Sequence, residues 1–336
     1  MDCILKHLAI YTALLFSSNV LAGGPLVLEG PDGTVPVTYR NPVIILNIEN
    51  GDLRLPDLTN SIADGLVEKA FTLWNMVDTA SIELLIDQQE INEDIDIFNY
   101  DDYLPNTSQT VFNADDDLNP VVYDSDGKII DAFFGAGQSD YTVGFSASIL
   151  IVGSSYFKEG YAVINGKDLG LNDNDLVLLI AHEIGHFFGL DHSQVNINNQ
   201  EGLNDFPYLC RTAAQSEYPV MYPFACREDV NLHPDDISAL SALYPAENID
   251  DSFGILEGYF KDQNGIAILG ANIWVENNTT GETYSMVSDY RKQGNGFFRM
   301  RLPAGNYTLH ANSVNTEFFG GSGVGPYSLT PVSYTH

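Results

Sequence analysis

The chain has 336 residues, which suggests two domains, and at 44% hydrophobic residues it can bury ordinary cores. Its formal charge is −32 with only 14 lysines and arginines. That balance argues against nucleic acid and anionic membrane surfaces as partners and reads as the solvated surface of an exported protein.

An export signal is expected over residues 1–22. Lys6 and His7 precede the short apolar run LAIYTALLFSSNV, and VLA before Gly23 offers a cleavage point after Ala22. The run is short for a transmembrane helix and no later segment is better, so no membrane span is expected. The mature chain would be extracellular or, in a Gram-negative bacterium, periplasmic. Cys3 would leave with the signal. Cys210 and Cys226 then read as one disulfide of an exported chain, closing a loop of about 15 residues and worth roughly 3 kcal/mol in the chain-entropy picture.

Residues 23–49 read as a loose Gly- and Pro-rich arm followed by the first strand, VTYRNPVIILNI giving one or two strands. Ile62, Leu66, Ala70, Phe71 and Trp74 recur at helical spacing after a capping choice of Thr59, Asn60 or Ser61. SIELLIDQQ is a strand, and residues 90–119 are acidic and patternless, as loops are. PVVYDSDGKIIDAFFG reads as a hairpin around DSDG. Asp124, Asp126 and Asp131 also invite calcium. In EF-hand register, however, the first and twelfth positions are Val122 and Phe133, so a plain turn is the reading and Ca2+ the alternative. YTVGFSASILIVGSS is the next strand. LNDNDLVLLIAHEIGHFF is a helix entered by Asn and Asp caps and ended by Gly189. HPDDISALSALYP is another, with Pro234 in its first turn and Pro245 past its end. Beyond residue 246 short strands alternate with Gly, Asn and Asp turns, the pattern of a β-sandwich.

IAHEIGHFFGLDHS concentrates chemistry. His182 and His186 stand four residues apart, so their rings leave one helix face a turn apart and suit two corners of a tetrahedral zinc site. Glu183 is rotated by about 100° from His182, flanking the metal where a general base for a bound water belongs. Gly189 lets the chain reverse, bringing His192 up as a third ligand. Three protein ligands with an open fourth position describe a catalytic zinc.

HEIGHFFGLDHS resembles the H-E-x-x-H-x-x-G-x-x-H signature of the metzincin metalloproteases, and its Gly-Leu-Asp-His-Ser ending is closest to the matrixin branch. PVMYP resembles the Met-turn, implying that Met221 floors the histidines. IADGLVEKAFTLWNMV and HPDDISALSALYP resemble the first and closing helices of matrixin catalytic domains. The similarity spans about residues 37–245. GANIWVENNTTG and GNGFFRMRLPAGNYTL, within residues 254 to about 312, resemble carboxypeptidase-regulatory-type sandwiches. Departures from the matrixin pattern are a longer stretch from His192 to Met221, no cysteine near the mature N-terminus for a thiolate switch, and too few histidines for a second zinc.

The resemblance implies an α+β fold: a metzincin-type catalytic domain over residues 50–246, with a twisted mixed sheet and a zinc-binding helix, followed by a small all-β sandwich over 250–336. It implies a secreted zinc endopeptidase acting on protein or peptide substrates. One zinc ion would sit on His182, His186 and His192, with Glu183 as base. Substrate would lie along the edge strand Val143, Gly144, Phe145, Ser146 and Ala147. The sandwich is expected to be separable from the metal site, and it could localise the enzyme on a polymer or cell surface. The opposing reading is a surface-binding or adhesion protein that holds zinc without proteolysis.

Overall fold

The computed structural model describes residues 24–30, 32–104, 117–150, 154–193, 195 and 215–313. The expected signal, Cys210 and the tail after Ser313 lie outside them. The chain is mixed, with one largely parallel sheet and separate antiparallel sheets toward the C-terminus.

The N-terminal arm is not loose. Strands β1 (Leu28–Glu29) and β2 (Val35–Pro36) pair antiparallel, and the residues before them dock on the later chain. Leu26 N donates to Gly189 O at 2.6 Å and Asp191 N to Gly24 O at 2.9 Å. Composition alone misses these bonds because their partners lie far along the sequence.

Strands β3 (Thr38–Tyr39), β4 (Val43–Ile48), β5 (Glu83–Asp87), β6 (Pro120–Asp124), β7 (Gly144–Leu150) and β8 (Tyr156–Asn165) make the main sheet, in the order β3-β8-β6-β4-β5 with β7 also on β8. All pairs are parallel except β7 with β8. Because β7 runs along β8 from Phe157 to Ile164, β3 and β6 must share the opposite edge of β8. That leaves β7 at the sheet margin, with β8 its only strand partner among the described residues. Alternation divides the faces. Val121 and Tyr123 enter the core beneath two helices, while Val122 enters a second core with Phe145, Tyr161 and Val163.

Helix α1 (Asn60–Asn75) turns Ala63, Leu66, Val67, Ala70, Phe71 and Trp74 inward. Ile62, on the same expected stripe, lies in the first turn and is 45% exposed. The N-cap position is Thr59, but the capping oxygen is Asp52 Oδ1, 2.7 Å from Asn60 N. The expected hairpin is a strand, a turn and a helix: β6 ends at Asp124, Gly127 takes φ 76°, and α2 (Lys128–Phe134) follows. Asp124 accepts from Ile129 N and Ile130 N, satisfying the orphan donors of that first turn. Asp126 pairs with Lys128, and Asp131 accepts from Ser139 N. All three carboxylates of the calcium alternative therefore have protein partners.

Helix α3 (Asp173–Phe187) starts at a capping box between Asn172 and Asp175. Gly189, at φ 94°, reverses the chain after it, and a Cβ there would come within 2.7 Å of Phe157. The fourth helix, α4 (Pro234–Leu243), has His233 at its N-cap and Pro234 at its start. Antiparallel strands β9 (Phe253–Tyr259) and β12 (Phe297–Pro303) form one small sheet. Strands β10 (Ala271–Asn277), β11 (Thr283–Val287) and β13 (Tyr307–Ser313) form another, in the order β11-β10-β13. Ile273, Val275, Tyr284, Met286, Phe298, Met300 and Leu302 make their shared core. The pair of sheets sits on α4, where Ser238 Oγ donates to Arg301 O and Ser285 N donates to Asp235 Oδ1.

Candidate metal centre

Helix α3 delivers His182 and His186 from one face, and the Gly189 reversal returns His192 to them. Their Nε2 atoms lie 3.0, 3.1 and 3.2 Å apart, and all three rings are buried. For His182 and His186 the tautomer follows from what the other nitrogen meets. His182 Nδ1 stands 2.6 Å from Val220 O and His186 Nδ1 2.8 Å from Leu190 O. A carbonyl only accepts, so each Nδ1 carries the proton and each Nε2 presents a lone pair. Lone pairs at such spacing repel unless a cation lies between them. Zn–N bonds of about 2.0–2.1 Å at tetrahedral angles place nitrogens roughly 3.3 Å apart, close to the observed triangle. Burial holds the imidazoles neutral, lowering His182 to about 4 and His186 and His192 well below their ordinary value, as metal ligands require. Among the described residues this is the one His, Cys, Asp or Glu group able to gather on a metal ion.

Glu183 is buried beside them, and its carboxylate oxygens have no hydrogen-bond partner. Burial raises its affinity for a proton well above that of an ordinary carboxyl, with Ser146 opposing. It lies against β7, where a Cβ added to Gly144 would stand 3.4 Å from Glu183 Cγ. Ser146 Oγ donates to Glu183 O at 2.7 Å and Ser148 Oγ to Phe187 O at 2.6 Å, fixing the strand on the helix. Gly144 and Ser146 thus stand beside helix α3, whereas Val143 and Phe145 are buried in the two cores.

Met221 lies under α3, where a Cβ on Gly185 would overlap its Sδ and approach Trp74. The turn that carries it is held by Asp236 of α4, whose Oδ2 accepts from Val220 N at 2.8 Å and whose Oδ1 accepts from Met221 N at 3.0 Å. Arg227 supports the approach to this turn by donating to Ser216 O and Tyr218 O. Its neighbour Cys226 is buried and disulfide-bonded. Pro223 and Tyr222 follow Met221, and Tyr222 packs on Tyr218 with centroids 4.8 Å apart.

Asp235, Asp236, Arg227 and Ser193 were not readable as site residues. The acidic pair after Pro234 has the sequence sign of an ordinary helix start, and only the fold brings it to Met221 and Ser193. Tested against known proteins, the chain matches no family model and no curated protein.

Proposed function

We propose that the protein is an exported zinc-dependent endopeptidase of metzincin type, closest to the matrixin branch, with a carboxypeptidase-regulatory-like sandwich attached. The observation that carries this reading is the convergence of three buried imidazole Nε2 atoms beside the buried carboxylate of Glu183. His182, His186 and His192 would hold the ion, with Val220 O and Leu190 O fixing two of the rings. A bound zinc supplies Lewis-acid polarisation of a peptide carbonyl and acidifies water at its open position.

Glu183 takes the proton from the attacking water at its carboxylate and returns it to the leaving amine. Its place one helical step from His182 would set it beside the ion without making it a ligand. A peptide pairs along the outer margin of β7, which has no strand partner there among the described residues. Gly144 and Ser146, which stand beside Glu183, would face the reacting carbonyl, with Val143, Phe145 and Ala147 continuing the template.

Replacing Glu183→Gln is expected to leave one zinc per chain and to lower casein cleavage by about 10²–10⁴-fold, with chelation abolishing cleavage by the parent protein. Cleavage by the variant at the parent rate would remove Glu183 from the mechanism. A parent protein that binds zinc and cuts nothing would favour the surface-binding reading.

A further inference from the structure

The C-terminal sheets reach the metal loop through one carboxylate. Asp235 is buried at the start of α4 and has no ion-pair partner among the described residues. Its Oδ1 accepts the backbone N–H of Ser285 in β11 at 2.7 Å. Its Oδ2 accepts Ser193 Oγ at 2.5 Å. Ser193 directly follows His192, its N donates to Met221 O at 2.8 Å, and its Oγ also accepts from Val195 N at 3.3 Å. The adjacent Asp236 holds Val220 and Met221, and Val220 O accepts from His182 Nδ1. Two consecutive carboxylates thus stand behind two of the three histidines, and the sandwich grips the first.

The grip uses the margin of a sheet. Among the described residues β11 pairs only with β10, with Ser285 opposite Trp274. The Ser285 N–H goes to Asp235, so it is turned away from β10, and α4 covers the strand edge that would otherwise be open. A buried carboxylate loses water and must recover its hydrogen bonds from the protein. Without Ser285 N–H, Asp235 Oδ1 is stranded and Asp235 is free to turn away from Ser193.

We propose that Asp235 is a positioning residue for the third metal ligand, and that the sandwich is a working part of the metal centre because Ser285 N–H holds Asp235 against Ser193. This deepens the metalloprotease reading and rests on it. It also revises the expectation of a separable sandwich.

The test uses full-length variants. Ser285→Pro deletes the donor at an edge position where proline is tolerated. Ser285→Ala keeps the donor and removes a hydroxyl that is buried without a partner. Zinc affinity, by competition with a chelator, is expected to fall about tenfold or more for Ser285→Pro and Asp235→Ala. It should stay within about twofold of the parent for Ser285→Ala, and Asp235→Asn should recover most of the loss by keeping an oxygen for Ser285 N–H and offering its amide to Ser193 Oγ. The double variant Ser285→Pro, Asp235→Ala should be no worse than Asp235→Ala alone, since the two act through one contact.

Exchange of the Ser193 amide in zinc-free protein reads the same link independently of metal, and protection should fall with Ser285→Pro. A folded Ser285→Pro protein with parent zinc affinity and parent Ser193 protection overturns the proposal. If that variant does not fold, equal zinc affinity in the Asp235→Ala and parent proteins overturns it instead. A parent protein that takes up no zinc overturns the metalloprotease reading, and Ser193 exchange still decides the link.

Discussion

Gly185 is the closely packed glycine of α3, the helix that carries His182 and His186. It lies between the two α3 histidines in sequence, and a Cβ there would overlap Met221 Sδ and sit 3.1 Å from Trp74 Cζ2. Trp74 cannot easily yield, because its Nε1 donates to Ala181 O at 2.9 Å and its ring meets Phe188 edge-on. Overpacking of a close-packed core costs about 1–3 kcal/mol. Gly185→Ala should lose stability in that range by urea denaturation and also weaken zinc binding, since Met221 shares its turn with Val220, the partner of His182. Unchanged stability would mean that Met221 moves freely. His182, Glu183, His186, Gly189 and His192 stood out in the sequence because a helix converts fixed spacing into a shared face. Asp236 did not, since its target amides at Val220 and Met221 lie on a separate loop with no periodic relation to α4.

Local signals located the elements that carry their own punctuation. Helix α3 has both its capping box and its terminating glycine in the sequence, and the structure uses both. Strand β8 was not read from the sequence at all. YFKEGYAVIN mixes charge with apolar residues, and Lys158 and Glu159 offset one another as an ion pair within it. The α2 segment went to the wrong class. Ile129, Ile130, Phe133 and Phe134 recur at helical offsets, but the run is short, and the turn before it is equally good for a hairpin or for a helix start. What decides is Asp124, whose carboxylate accepts two amides of the first turn. The α3 cap offers a test at this scale. Asn172 accepts from Asn174 N at 2.9 Å and Asp175 N at 3.2 Å, far along the helix from the histidines. Asn172→Ala should lower stability by about 1 kcal/mol and leave kcat/KM of the proposed peptidase activity unchanged. A tenfold fall in kcat/KM would mean that fraying at the helix start reaches the histidine cluster.

Across the whole molecule, long-range contacts escaped the sequence. The arm on Gly189 and Asp191 and the sandwich on Asp235 join segments with no shared local pattern, so length and composition suggested two units and left their coupling unread. The acidity was plain in the composition, but its consequence for stability depends on which carboxyls are buried. Burial raises Glu49 to about 8, Asp235 to about 7 and Asp124 to about 6. Each holds its proton in the folded chain at a pH where the unfolded chain has released it. Stability from these groups is full below the ordinary carboxyl range and is lost as pH rises through 6 to 8. His233, lowered by burial to about 3, acts oppositely and only on the acid side, where unfolding is favoured as pH falls from about 6.5. Glu49 isolates the alkaline limb. Its two oxygens accept from Ile95 N and Tyr123 N, and Asp94 and Asp124 add like charge around it. Glu49→Gln keeps one acceptor and strands the other amide, so the variant should be less stable than the parent at pH 5 by about 1–3 kcal/mol. It cannot ionise, so the gap should close as pH rises from 5 to 8, by at most about 1.4 kcal/mol per pH unit for one proton. Urea denaturation of both proteins across that range measures the gap, and parallel stability curves would show that Glu49 keeps the same protonation in the folded and unfolded chains.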